Sequence, residues 1–447
     1  MTGLRLLLAV LLTTLLSALS IGPAAAIDIK QVTTPLGLKA WLVEDKSVPV
    51  INVAFSFEGG SALEPEDKKG VTSLMAYLLT DGAGSLPGPA FKQRAEDSEV
   101  ALGFGASLDR LSGSMRVLSA NRNEGFELLR LAMTAPRFDA DMVEQRRAQA
   151  LSGVNQSEQR PAAVAGRIMM ATVFAGHPYA ANAEGLRAGL KALTVDDLKA
   201  RAAELLSRTG LVIAVVGDID AAELSRQIDR AFGALPANPA LPEPSQWKAQ
   251  TKRRTIVIER PVPQSTVQIV MPGIARSDKD WYAAFVMNHI LGGGGLGSRL
   301  STEVREKRGL AYGVSSSLRV YKHAALLAIS TASANEKVAE AVKIIRAEMA
   351  RLRNDGVTPE ELADAKTYLA GALPVSLDSS GSVANLLYSL QIDGLPPDHL
   401  DKRSALIGAV TADDVRRVAR RLLRDDQAVT VVVGKPVGIV PEAAKEP

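Results

Sequence analysis

Side chains able to ligate a metal or activate a nucleophile are few and scattered in this chain. Its four histidines, His177, His289, His323 and His399, have no second histidine three to five residues away, and cysteine is absent. Two ligands on one helical face need such spacing. Each histidine therefore reads as structural: His177 in a His177-Pro178-Tyr179 loop, His289 beside the core-like Met287 and Ile290. Glu58 and Glu64 fall at a strand end or in a loop, with no histidine partner. No G-x-S-x-G elbow occurs, which removes the α/β-hydrolase route to a serine nucleophile. What remains is the stretch from Gly292 to Tyr312, GGGGLGSRLSTEVREKRGLAY. Four consecutive glycines, Gly292, Gly293, Gly294 and Gly295, end an apolar helical run, Trp281–Leu291. Such a run lets backbone come close to something or lets a segment move. A second helix follows, with Ser298 or Ser301 able to cap it and Glu303 four residues before Lys307. Arg305, Lys307 and Arg308 fill its last turn, where positive charge suits the helix dipole. Gly309 is placed to stop it in a left-handed conformation, and Leu310-Ala311-Tyr312 opens a strand. On these residues alone the stretch is either a close-approach loop or a long mobile turn with a solvated basic helix end.

The same stretch resembles the second-half signature of the pitrilysin/insulinase and mitochondrial-processing-peptidase family of zinc peptidases. That signature is a glycine-rich loop, then a helix ending R-E-x-x-G-L-x-Y. Arg305-Glu306-Lys307-Arg308-Gly309-Leu310-Ala311-Tyr312 matches it. The resemblance implies that Arg305 and Tyr312 bind substrate near a zinc held by the other half of a clamshell, with Gly292–Gly295 as the substrate loop. It also implies H-x-x-E-H on a helix plus a distant glutamate, two imidazoles holding zinc while a glutamate takes a proton from bound water. Here the matching stretch, Gly70 to Leu78, places Ser73 and Tyr77 at the two histidines and Ala76 at the base. By register with Val143-Glu144-Gln145-Arg146-Arg147, the third ligand position falls at or next to Gly153. Serine and tyrosine are not readily deprotonated at neutral pH and ligate zinc poorly. The expectation is a chain without cofactor, whose zinc belongs to a partner.

Two-chain members of the family divide labour in this way, one chain carrying zinc and the other the arginine–tyrosine pair. The resemblance thus implies a heterodimer with an H-x-x-E-H-bearing subunit and an extended peptide as substrate. The alternative is a non-enzymatic scaffold or peptide-holding protein with the same fold.

The elements that must position these residues are written twice. Thr194-Val-Asp196-Asp197 leads through a helix to the strand Val212–Val216 and Gly217, and Thr411-Ala-Asp413-Asp414 leads to Val429–Val433 and Gly434. Threonine and glycine recur at one shift of 217. Val48–Phe57 and Thr266–Met271 read as opening strands, and Met75-Ala-Tyr77 corresponds to Met287-Asn-His289. Asn335–Asn354 reads as a long amphipathic helix, and Thr358-Pro359-Glu360-Glu361 starts the next with a capping box. Runs of strands beside runs of helices give an α+β tandem duplication. Each half is expected to be a mostly antiparallel sheet with helices on one face, together half of a clamshell chamber. The expected division is 27–234 and 255–441, joined by 235–254, a link with four prolines and a basic Lys248–Arg254 stretch.

Composition narrows the rest. Arg5, the apolar run Leu6–Ile21 and Ala24-Ala25-Ala26 make residues 1–26 an expected signal peptide, hence a periplasmic protein, and no later stretch is apolar enough to span a bilayer. The formal charge is +3, one unit of it from Arg5, and aromatics are 4%, which argues against nucleic acid as a partner.

Overall fold

A computed structural model describes residues 27–441 apart from 181, 182 and 250. The expected signal peptide lies outside the described residues. The chain opens with strands β1 (Lys30–Thr33), β2 (Lys39–Glu44) and β3 (Val50–Glu58) and helix α1 (Val71–Leu78). The short pair β4 (Gly82–Ala83) and β5 (Leu86–Pro87), helix α2 (Gly88–Asp97) and the hairpin β6 (Ala101–Ala106) and β7 (Arg110–Leu118) follow. Helices α3 (Arg122–Thr134), α4 (Ala140–Gln159), α5 (Pro161–Val173), α6 (Ala183–Ala192) and α7 (Val195–Leu205) precede β8 (Val212–Gly217) and α8 (Ala221–Phe232). The second half runs β9 (Arg254–Glu259), β10 (Gln264–Pro272), α9 (Trp281–Asn288), β11 (Ala311–Val320) and β12 (Ala325–Ala334). It closes with α10 (Val338–Asp355), α11 (Pro359–Ser376), α12 (Ser380–Ile392), α13 (His399–Gly408), α14 (Ala412–Leu422) and β13 (Val429–Gly434).

The halves share one topology. The first sheet has the order β1-β2-β8-β3-β7-β6 and the second β11-β12-β10-β13-β9. Reading from β2 in the first and from β9 in the second gives the same path. Each has one parallel pair, β2 with β8 and β9 with β13, and antiparallel neighbours beyond it. Only β1 is extra. The repeated motif is repeated structurally as well. Thr194 and Thr411 each accept from the amide three residues on, and Asp197 and Asp414 return the bond to the threonine amide. Gly217 and Gly434 end their strands at φ 147° and 155°, where a Cβ would come within 2.0 Å of Val50 O or 2.4 Å of Ser265 Oγ.

Strands β3 and β13 are apolar on both faces because both faces are covered. One face carries that half's own helices, with α1, α3, α7 and α8 over the first sheet and α9, α10 and α14 over the second. The opposite face is covered by a helix from the other half. Helix α5 lays Val164, Ile168 and Met169 on Val431 and Val433 of the second sheet. Helix α12 lays Ala384 and Leu387 on Ala54, Ala214 and Val216 of the first. The expected layering on one face is thus completed by a reciprocal exchange.

Two local boundaries differ from expectation. The helix read from Asn335 starts at Val338, because Asn335 accepts from Ser265 Oγ at 2.7 Å and donates to Val262 O at 2.8 Å. The proline-rich link is not a free spacer. Trp247 N donates to His323 O at 2.8 Å, Trp247 Nε1 to Val173 O at 3.2 Å, and the indole packs 5.2 Å from Phe174. Around it Lys322 Nζ donates to Glu58 at 2.6 Å and Glu243 at 2.7 Å, and Tyr179 OH bonds Asp109. His177 Nε2 lies 2.9 Å from Ser245 O, and His323 N donates to Tyr179 OH at 3.1 Å. These two histidines tie the link and the halves together.

Candidate functional site

Helix α1 carries three of the four positions where the resemblance implies metal chemistry. Its first turn is held by a buried carboxylate. Glu64 accepts from Gly70 N at 2.9 Å and Thr72 N at 2.8 Å, satisfying amides that no preceding side chain caps. Buried Arg201 donates to Thr72 Oγ1 at 3.1 Å and to Gly60 O at 2.8 Å. At the far end Asp81 receives a two-pronged bond from Arg146 of α4, at 2.5 and 2.7 Å, which fixes α4 against α1. The scaffold is rigid, but what it presents is a half-buried Ser73, a buried Ala76 and a Tyr77 that is 55% exposed. Gly153 sits on α4, where an added Cβ would meet nothing within 4 Å. These positions offer a hydroxyl, a methyl, a phenol and bare backbone. With neither imidazole nor carboxylate among them, the donor set does not fit a zinc ion. Among the described residues no other group of three or more His, Asp or Glu side chains is placed to hold a metal.

The second half is organised around its glycines, and here expectation and structure part. The run is wound into helical turns. His289–Gly293 continues α9 as a wider π-type turn, and Gly295–Gly297 forms a 3₁₀ turn. A Cβ on Gly292 would lie 2.7 Å from Ser316 N, and one on Gly293 2.6 Å from Asn288 Nδ2. Gly292 lets the turn press against β11, and Gly293 lets it close on Asn288 at the end of α9. Gly295 has φ 63° and open space around it, so its need is conformational. Neither Ser298 nor Ser301 caps the next segment. Ser298 Oγ instead donates to Gly295 O at 2.7 Å, and Ser301–Glu306 winds as a second π-type turn anchored by buried Leu300 and Val304. Such turns are rare and recur at functional sites.

The cations of this segment are paired, with one exception. Arg299 is bound to Glu361 by two bonds of 2.7 Å. Lys307 and Arg308 both reach Glu303, at 2.7 and 2.5 Å, and hold its carboxyl below the ordinary range. The Arg305 side chain makes no hydrogen bond or ion pair among the described residues; its guanidinium lies over the Tyr312 ring at 4.9 Å. Gly309, at φ 57°, reverses the chain between them, as Gly309 N donates to Arg305 O at 2.9 Å. A register shift between Ala311 and Val314 then puts Tyr312 and Gly313 in a bulge of β11. Its flanks are pinned by Ser333 Oγ to Leu310 O at 2.5 Å and Thr331 Oγ1 to Gly313 O at 2.8 Å. The bulge turns Tyr312 outward until it is 87% exposed, with no hydrogen bond among the described residues. The arrangement can place two or more guanidinium donors and one phenol donor on the same acceptor-bearing ligand.

His289 also departs from expectation. It is half-buried rather than core, and its ring stacks on the exposed Tyr368 of α11 at 4.9 Å. Burial pushes its pKa down, so the ring is neutral at pH 7. His399 accepts or donates at 2.7 Å with Tyr282 OH, a structural contact between α13 and α9. The structure brings Arg305 and Tyr312 together, and it places Ser73, Ala76 and Tyr77 on α1, which packs against α4, the helix that carries Gly153. No hydrogen bond, ion pair or ring contact joins the two groups among the described residues. Glu64 and the bulge were not foreseen. A carboxylate six residues before a helix-opening glycine was the one available signal for the first, while the second depends on pairing with β12.

Two family descriptions match the chain. Residues 39–185 match the family description "Insulinase (Peptidase family M16)", and residues 192–369 match "Peptidase M16 inactive domain". An uncharacterized zinc protease of Streptomyces coelicolor is 27% identical, over 90% of this chain and 89% of its own. A Helicobacter pylori relative described as a non-peptidase homolog is 27% identical over 79% of this chain and 82% of its own. A crystal structure of a peptidase M16 inactive domain from Pseudomonas fluorescens superposes with a TM-score of 0.86 at 30% identity, covering 93% of this chain and 99% of the other.

Proposed function

This chain belongs to the M16 peptidase family, and from that premise we infer that it is the non-metal-binding subunit of a heterodimeric zinc peptidase acting on extended peptides. The observation that carries the reading is the free state of Arg305 and Tyr312 beside three cations that are all paired. A structural arginine at a helix end finds a carboxylate or a carbonyl; this one rests on an aromatic face from which a peptide can draw it. Arg305 then holds a substrate carbonyl or carboxylate with its planar fork. Tyr312 OH donates to the carbonyl oxygen as negative charge gathers there. Among the described residues the outer edge of β6 is unpaired in the first sheet, as is that of β11 in the second, and an extended chain can add to such an edge through its backbone. The partner supplies the H-x-x-E-H helix and the zinc, and the periplasm is the proposed compartment.

The test is reconstitution. The chain is mixed with an M16 protein bearing H-x-x-E-H from the same cell, and cleavage of an unstructured fluorogenic peptide is followed. Activity is expected only in the mixture. Tyr312→Phe is expected to lower kcat by about 10²-fold, the scale of one lost oxyanion donor, with assembly unchanged. If Tyr312→Phe and Arg305→Ala both assemble and cut normally, the role given to them is wrong. The peptide-holding scaffold is the second reading. It draws on the Helicobacter pylori relative's description and predicts peptide binding without cleavage in every mixture.

A further inference from the structure

The basic stretch of the linking segment takes no part in the reading above. It forms one wall of a cleft of about 810 Å³, closed by the end of α5, the turn at 175–177 and the start of β13. Lys248, Lys252, Arg253 and Arg254 line it, and no carboxylate does. Arg253 pairs with Asp425 at 3.2 Å, whereas Lys248, Lys252 and Arg254 make no ion pair among the described residues. Three polar atoms at this cleft are buried without a hydrogen-bond partner among the described residues: Thr172 Oγ1, Thr251 Oγ1 and Arg254 Nε. Buried polar groups are rarely left so, because each forfeits its hydration without recompense. Uncompensated positive charge and orphaned donors in one concavity ask for the same thing, an anionic ligand rich in acceptors.

The cleft's shape and surroundings narrow the ligand. Its volume is in the upper range of small-ligand pockets, about 300–1,000 Å³, which suits several side chains better than one inorganic ion. Stacking of bases is disfavoured because the Trp247 ring is engaged by Phe174 and its Nε1 by Val173 O. Arg254 is also the first residue of β9, the outermost strand of its sheet, so an extended segment leaving the cleft meets an unpaired strand edge. We propose that this cleft binds an acidic polypeptide segment, rich in aspartate or glutamate, through Lys248, Lys252, Arg254 and the hydroxyls of Thr172 and Thr251. The site stands apart from Arg305 and Tyr312 and does not depend on their role.

The experiment uses the purified full chain and fluorescein-labelled hexaglutamate, with hexalysine as control, read by fluorescence anisotropy. Saturable one-to-one binding of hexaglutamate is expected, lost at about 1 M salt, where the screening length falls to about 3 Å. The doubly substituted Lys248→Glu/Lys252→Glu chain is expected to bind at least about tenfold more weakly, a loss of about 1.4 kcal/mol. Thr251→Val leaves every charge in place and is expected to weaken binding about threefold, which a loose cloud of counter-charge would not show. Both lysines are exposed, so melting temperature is expected to stay within a degree or two, and the comparison is made at matched folded fraction. The proposal is overturned if hexaglutamate does not saturate, or if the double variant binds it equally well. It is also overturned if inorganic phosphate or phosphatidylglycerol vesicles bind with the same sensitivity to the variants while hexaglutamate does not.

Discussion

Of the four cations between residues 299 and 308, three are consumed by Glu361 or Glu303 and Arg305 alone is left over a tyrosine face. Chemistry at this scale was partly legible in the residues. The resemblance carried by Arg305 to Tyr312 implied a joint role for that pair, and the empty positions Ser73, Ala76 and Tyr77 stood out against the pattern it implied. What the residues did not disclose was the bulge that turns Tyr312 outward, because it exists only in pairing with β12. Nor did they disclose the glycines' true task, since the pressure on Gly292 comes from Ser316, distant in sequence. The degenerate site yields a residue-scale prediction. Its frame is held by Glu64, Arg201 and the Arg146–Asp81 bond, independently of any metal. Restoring Ser73→His, Ala76→Glu, Tyr77→His and Gly153→Glu together is therefore expected to create a site that takes up about one zinc per chain, two histidines and a carboxylate being a sufficient set. Elemental analysis after gel filtration checks it, with the unsubstituted chain expected at background. Zinc at background in both would mean that the frame has drifted along with the ligands.

Capping boxes were the most legible elements, because their physics is local. Thr358 makes the expected bond, and Thr194 and Thr411 make the same one. The box at Thr194 carries a pH dependence. Lys68 and the amide and hydroxyl of Thr194 hold the Asp197 carboxyl at about 2. A carboxyl depressed in the folded state stabilises fully above its unfolded value of about 3.9 and loses that contribution as pH falls toward 2. Between pH 4 and 2 the melting temperature of the parent is expected to fall more steeply than that of Asp197→Asn. Thr194→Ala is expected to cost about 1 kcal/mol at neutral pH. Parallel slopes for parent and Asp197→Asn would remove Asp197 from the acid response. The destinations of α5 and α12 were not legible. Each sequence shows an apolar helix, but which sheet it covers is decided by the chain's path between halves. The exchange predicts that Leu387→Ala, a substitution in the second half, costs about 2–4 kcal/mol. It should speed hydrogen exchange in β3 and β8 of the first half, where Ala54, Ala214 and Val216 lose cover. Faster exchange confined to α12 would show that the contact contributes little.

For the whole molecule, the duplication was readable from one shift of 217 residues, and the two sheets repeat strand for strand apart from β1. The link was read as a spacer from its prolines, but its contacts with His323, Val173 and Phe174 make it part of the junction. Composition cannot foretell that, since the contacts depend on how the halves meet. Covered from both directions, the halves are expected to melt in a single calorimetric transition, with equal van't Hoff and calorimetric enthalpies. Two resolved transitions would show that each sheet holds without its borrowed helix. The exchange of α5 and α12 also bears on dissection of the chain. A fragment cut at the link carries away the lid of its neighbour and leaves its own sheet bare on that side. Neither fragment is thus a finished fold, and co-expression of the two severed pieces is the way to recover either.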